Sequence, residues 1–167
     1  MTSDQPRPGE VRAEIDPATT PADAGVIFIG RIQTQWKSRP ECPRNIAEAR
    51  ERGIPAKLQL APTWRRGLTG LSQGDHIIVL YWMSEAPRGL VIQKPHRRPQ
   101  PTGVFSLRSP ARPNPIALAT VKILSLDQAA GRIEIDAIDC LDGTPLLDLK
   151  PWRPQMDLPA DFKPPDT

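Results

Sequence analysis

Only two cysteines, Cys42 and Cys140, stand in the 167 residues, far apart and in no CxxC pattern. They offer neither a zinc site nor a disulfide framework. The two histidines, His76 and His96, share no ligand spacing, so no metal is expected. No apolar stretch opens the chain and none reaches the length of a membrane span, which makes the cytoplasm the default location. No GxGxxG follows a strand-like run, so a Rossmann sheet has no support. Gly67-Leu68-Thr69-Gly70 lacks the Gly-Lys-Ser/Thr ending of a phosphate-binding loop. There is no internal repeat. Charge of one sign is also scarce: 22 basic against 19 acidic residues permit a nucleic-acid partner without arguing strongly for one.

Proline, by contrast, is abundant, at 21 residues against a usual share of about 5%. Residues 1–24 and 154–167 are rich in proline and charge and poor in large apolar side chains, so both read as disordered or extended tails. That leaves residues 25–153 as one folded domain, long enough to bury a core. Proline inside the domain calls for many ordered loops, where sites usually sit.

Short apolar runs alternate with turn residues through this domain. Strands are expected over 26–33, 57–60, 77–82, 90–92, 104–107, 116–126, 132–138 and 145–149. Asn45 before Ile46, Glu48 three residues on and Gly53 beyond describe one short helix. The fold class is therefore all-β, a small antiparallel β-barrel with one short helix and Pro-rich loops, a sandwich being the other all-β arrangement.

Four segments are more constrained than connectors need to be. In residues 103–118, Pro110, Pro113 and Pro115 stiffen a loop holding Arg108, Arg112 and Asn114. Arginine suits a carboxylate or phosphate and asparagine an adenine edge. A rigid β connection with two surface arginines explains the same residues. Asp142-Gly143 between two strands is a hairpin signal, adequate as a turn alone. Cys42, Pro43, Arg44 and Asn45 enter the helix, where free N–H groups attract anions, although most such entrances bind nothing. Lys94, Arg97 and Arg98, with Trp64-Arg65-Arg66 as a companion, fit an RNA surface or a solvated loop.

GVFSLRSPARPNPIAL at residues 103–118 and DCLDGTPLLDLKPW at residues 139–152, in this order, resemble the TsaA-like (YaeB-like, TrmO) family of tRNA methyltransferases. Residues 67–82 and the Cys-Pro-Arg-Asn segment add to the likeness. The resemblance implies a small β-barrel that dimerises and binds S-adenosylmethionine (SAM) without a Rossmann sheet. It implies methylation of N6 of threonylcarbamoyl-adenosine beside the anticodon of a threonine tRNA. The cofactor residues it implies are Pro43, Arg44, Asn45, Met83, Ser84, Arg108, Leu118, Asp139, Cys140, Leu141, Asp142, Gly143 and Thr144. Arg112 then faces cofactor or RNA phosphate. Longer members of that family carry a further C-terminal domain, and have His-Gln where this chain has Ser84-Glu85, so a base role for that histidine is lost.

The acceptor nitrogen so implied lies between a purine ring and a carbamoyl group. Its lone pair is delocalised, which makes it a poor nucleophile and a better acid. A base is therefore expected, and Asp139, Asp142, Glu85 and Tyr81 are the candidates; spacing does not choose among them. A SAM-dependent methylase with another acceptor, and a SAM-binding or RNA-binding module without turnover, are the alternatives.

Overall fold

The computed structural model describes residues 6–95 and 100–163. In chain order the elements are β1 (Val11–Arg12), β2 (Gly30–Gln33), α1 (Ile46–Arg52), β3 (Ala56–Leu60), β4 (His76–Trp82), β5 (Leu90–Gln93), β6 (Thr102–Gly103), β7 (Ile116–Asp127), β8 (Arg132–Ile135), β9 (Thr144–Pro151) and α2 (Pro154–Asp157). Two 3-10 turns, Pro62–Leu68 and Val104–Ser106, complete the set. Among the described residues no helix is long and apolar enough to cross a membrane.

Six strands close a barrel in the order β2-β3-β8-β7-β4-β9. Period-two alternation drives it: on β4 Ile77 and Val79 point inward, on β7 Val121 and Ile123, on β8 Ile133 and Ile135. These six, with Ile32, Leu58 and Leu146, have no solvent exposure. Each such side chain contributes about 1.5–3 kcal/mol when buried. The β7–β8 register slips between Ile123 and Ser125, a bulge that bends the long strand β7 as the barrel closes.

Contacts divide the chain into two compact units, Met1–Ile27 with Tyr81–Ala117, and Phe28–Leu80 with Leu118–Thr167. The first carries a three-stranded sheet, β1-β5-β6. Its edge strand β1 lies in the stretch read as a tail: Val11 pairs with Ile92, and the Ala13 amide donates to Gly89 O at 2.8 Å.

Other boundaries also differ from the sequence reading. Val26 and Ile27, expected at the head of the opening strand, are 57% and 69% exposed, and β2 begins only at Gly30. Residues 104–107, read as a strand, instead turn through Val104–Ser106. The short helix α2 adds a second helix in the Pro-rich C-terminal stretch. Asp142-Gly143 makes a turn but no hairpin, because β8 pairs with β3 and β7 while β9 pairs with β2.

Gly30 sits where β2 is hydrogen-bonded to both β3 and β9. A Cβ there would lie 2.2 Å from Gln59 O and 2.9 Å from Leu60 Cα. Both are backbone atoms of the partner strand and have no rotamer by which to yield. Gly30→Ala is expected to lower stability by about 1–3 kcal/mol, as overpacking does. Urea unfolding of the two proteins checks this; equal midpoints would mean that the β2–β3 gap is wider than the structure has it.

Candidate functional site

In the barrel unit the candidate residues sit on two segments. Asn45, in extended conformation, caps α1, its Oδ1 accepting from the Glu48 amide at 2.9 Å; Gly53, left-handed at φ 61°, ends the helix. Glu48 reaches back and accepts from the Arg44 amide at 3.1 Å. This is a variant of the capping box that the sequence spells, with Glu48 taking the amide before the cap in place of that of Asn45 itself. It also changes the anion reading of this entrance. The amides of Arg44 and Glu48 are already held, and the Arg44 guanidinium lies on Glu48 at 3.2 Å.

Glu48 is the hub of this corner. Its Oε1 accepts from Arg52 at 2.5 Å, and Arg52 also donates to Glu41 O at 2.6 Å. The Arg52 guanidinium lies 5.0 Å from the centre of the buried Trp36 ring. The bond from Arg52, then that from the Arg44 amide, pulls the Glu48 carboxyl down to about 2.

The second segment is the turn of Asp139, Cys140, Leu141, Asp142, Gly143 and Thr144. It is fastened to residues 31–37 at Cys140, Asp142 and Gly143. Gly143 N–H donates to Ile32 O, and Asp142 N–H to Trp36 O, both at 2.8 Å. Asp142 accepts from the Thr34 amide at 3.0 Å and from Lys37 Nζ at 2.7 Å. The Thr34 hydroxyl donates to Cys140 O at 3.2 Å, Arg31 to Gly143 O at 3.0 Å, and the Thr144 hydroxyl to Leu141 O at 2.7 Å. Lys37, above all, lowers the Asp142 pKa.

The two segments are linked through Trp36, whose carbonyl takes the Asp142 amide and whose ring lies under Arg52. Burial pushes the Cys42 thiol up to about 11, and the charge of Asp139 pushes in the same direction. Burial likewise raises Cys140, which lies fully in the core. Pro43 is buried, Arg44 and Asn45 are exposed and Asp139 is half-buried. Leu118 stands 43% exposed on β7.

In the other unit, Met83 and Ser84 form the turn after β4, and the Met83 amide donates to Pro115 O at 2.9 Å. That ties the turn to the Arg-Pro-Asn-Pro loop. Arg112 does not project from this loop. Its Nε donates to Ser109 O at 2.9 Å, and its Nη2 to Val104 O at 3.0 Å and to Leu107 O. The side chain expected on RNA phosphate is thus built into the loop's own backbone. Arg88 donates to Pro113 O at 2.6 Å and lies over the Trp82 ring, while Gln93 donates to Ala111 O at 2.5 Å. Arg108 and Lys94 are exposed. Arg97 and Arg98 lie outside the described residues. Trp64 is 40% exposed, but its neighbour Arg65 is spent on Ala129 O at 3.0 Å.

Among the candidate bases, Tyr81 is buried, Glu85 is exposed and Asp139 is half-buried. Asp142 is committed to fixing the turn. Among the described residues no group of three or more His, Cys, Asp or Glu could hold a metal ion. A cleft lined by Lys57, Asp127, Arg132 and Glu134 contains none of the sequence-derived candidates.

Trp36, Lys37, Glu48 and Arg52 were missed by the sequence reading as parts of the site. Only Glu48 carried a local signal, its capping position. Trp36 and Lys37 reach Asp142 across about a hundred residues of chain, while Arg52 joins Glu48, Glu41 and Trp36 close by in sequence.

A closed antiparallel six-stranded barrel with a Pro-rich loop and an Asp-Gly-Thr-Pro turn defines a narrow class. The profile of the tRNA-methyltransferase O N-terminal domain family matches residues 31–158, and the chain belongs to that family. Among curated relatives, the probable S-adenosyl-L-methionine-binding protein VirR of Rhizobium radiobacter is 41% identical over 132 residues, 78% of this chain and 72% of that protein. An S-adenosyl-L-methionine-binding protein of Archaeoglobus fulgidus is 34% identical over 129 residues, covering 77% and 89%. The crystal structure of TrmO from Pseudomonas aeruginosa superposes with a TM-score of 0.65 at 29% identity, over 85% of this chain and 62% of that one. A second TrmO crystal structure gives 0.66 at 31%, over 86% and 64%. The chain therefore spans under two thirds of the solved TrmO chains.

The depressed Glu48 pKa makes a pH prediction. A carboxyl lower in the folded than in the unfolded chain stabilises above its unfolded value, and the stabilisation is lost as pH falls from about 4.3 towards the folded value near 2. Glu48→Gln removes this slope. The Tm of wild type is expected to fall more steeply than that of the variant below about pH 4; parallel curves would show that the Arg44–Glu48–Arg52 cluster contributes nothing in solution.

Proposed function

We propose that the chain is a SAM-dependent methyltransferase that transfers a methyl group to N6 of threonylcarbamoyl-adenosine beside the tRNA anticodon. The observation that carries this reading is the family match over residues 31–158. The names of the relatives as S-adenosyl-L-methionine-binding proteins support the cofactor. Within the barrel unit, the residues present suit SAM. The half-buried carboxylate of Asp139 lies close enough to raise the Cys42 thiol, beside Pro43, Arg44 and Asn45. A carboxylate in such a place can accept ribose hydroxyls or offset a sulfonium charge. The backbone of residues 139–144 is pre-set by bonds to residues 31–37, so little entropy remains to be lost on binding. Leu118 is a further cofactor candidate in the same unit; Met83, Ser84 and Arg108 are candidates in the other unit, taken by itself.

SAM supplies a methyl group on sulfonium sulfur, electrophilic enough for direct in-line transfer. With that chemistry supplied, this chain would have to provide a base for the acceptor's N–H proton. Alignment and exclusion of water supply much of the rate. Asp142 is a poor candidate base, since Lys37 and the Thr34 amide lower its proton affinity. Asp139, Glu85 and Tyr81 stay as candidates. Of Asp139→Asn, Glu85→Gln and Tyr81→Phe, one is expected to lower kcat, measured at saturating SAM, by about 100-fold or more. Near-normal turnover in all three would remove the base from the mechanism.

The reading itself is tested by mass spectrometry of nucleosides from threonine tRNA that already carries threonylcarbamoyl-adenosine, incubated with purified protein and SAM. A gain of one methyl on that nucleoside, absent without protein, is expected. No gain, with SAM binding measured in the same preparation, would move the assignment to another acceptor or to a SAM-binding module without turnover. Sedimentation of the same sample tests the homodimer that accompanies this reading.

A further inference from the structure

Phe105 is 83% exposed. It does not stand in water because the chain frays there. The turn that carries it, Val104–Ser106, is closed by the Leu107 amide on Val104 O at 3.2 Å, and Val104 itself is buried at 1% exposure. Arg112 bonds the carbonyls of Val104, Leu107 and Ser109, so the backbone on both sides of Phe105 is pinned. Gln93 and Arg88 hold the same loop further on, at Ala111 and Pro113. A large apolar ring is therefore presented on a rigid mount, with only its two side-chain torsions left to lose on contact.

The surroundings select the occupant. Among the described residues, the run that carries Phe105, residues 100–117, contains Arg108 and Arg112 and no acidic residue. The unit's acidic residues lie outside that run: Glu85 follows β4, and the rest are in the N-terminal stretch, where Glu10 bonds Arg7 and accepts from the Lys94 amide at 3.5 Å. Beyond Phe105 the loop continues Ser106, Leu107, Arg108, Ser109, so the ring is not part of an apolar run of chain. A single aromatic ring in a basic, polar loop matches a nucleobase between phosphates.

We propose that Phe105 is a stacking platform for an unpaired base of the RNA substrate. The inference rests on the RNA-methylating function proposed above and adds a residue that engages the RNA. Its test uses the full chain and two probes, an anticodon stem-loop carrying threonylcarbamoyl-adenosine and a blunt RNA duplex of the same length. Phe105→Ala is expected to weaken binding of the stem-loop by about 5- to 150-fold, the range for losing one stacked base. Phe105→Leu is expected to lose as much, and Phe105→Trp to restore affinity, with its emission quenched by the stem-loop and not by the duplex. SAM affinity and Tm should stay at wild-type values throughout. Equal stem-loop affinity in wild type, Phe105→Ala and Phe105→Leu would overturn the proposal while leaving the function standing. So would a lost dimer with RNA affinity kept, which would give the ring to a second copy. A wild-type protein that binds neither RNA would overturn the RNA reading itself, and the platform with it.

Discussion

Closure of the barrel depends on one passage of chain. Residues 136–143 leave β8, which is paired with β3 and β7, and deliver β9 to β2. No hairpin guides that step, so the chain must be caught on the way. Asp142 catches it: its carboxylate accepts from Lys37 and from the Thr34 amide, while its own N–H donates to Trp36 O. Gly143 follows at φ 78°, a conformation that favours glycine, and bonds Ile32 on β2. The candidate cofactor turn is thus the same backbone that shuts the barrel. Its rigidity follows from the fold and needs no ligand to set it.

A second constraint shapes the Pro-rich loop of the other unit. Each proline keeps its carbonyl but brings no N–H, so Pro110, Pro113 and Pro115 leave the loop with more acceptors than donors. Arginine offers five donors and no acceptor, which makes it the natural complement. Arg112 supplies Val104, Leu107 and Ser109, and Arg88 supplies Pro113. Arginine and proline in this loop form one device. The proline fixes backbone angles and the arginine satisfies the carbonyls left over. The basic charge this places on the loop remains after the bonds are made.

The parts legible in the sequence were those whose cause is local. Asn45, Glu48 and Gly53 lie within nine residues and specify α1 to its caps. Alternation on β4, β7 and β8 is likewise written along a single strand. What escaped depends on partners distant in the chain. Val26 and Ile27 have strand composition but no neighbour to pair with, so they stay outside the barrel. Val11 is as unremarkable as any tail residue, yet it finds Ile92. The run 104–107 reads as a strand until the donors of Arg112 curl it into a turn. On the candidate site, the turn of residues 139–144 and the Pro43-Arg44-Asn45 segment were legible as motifs. Their fastening through Trp36, Lys37 and Arg52 was not, because it is made of contacts between stretches that composition treats as separate.

The double duty of the turn bears on its chemistry. A general base must gain a proton and give it up in each turnover. If Asp142 did so, protonation would weaken its bond to Lys37 and cost Thr34 a charged acceptor, in the passage on which closure depends. Its lowered pKa opposes that event, since the same bonds that fix the turn favour the ionised form. A carboxylate that holds the fold in its charged state is a poor place to store a catalytic proton. Two aspartates three residues apart therefore have different work to do: Asp142 keeps the turn in shape, and any acid–base role on this turn falls to Asp139.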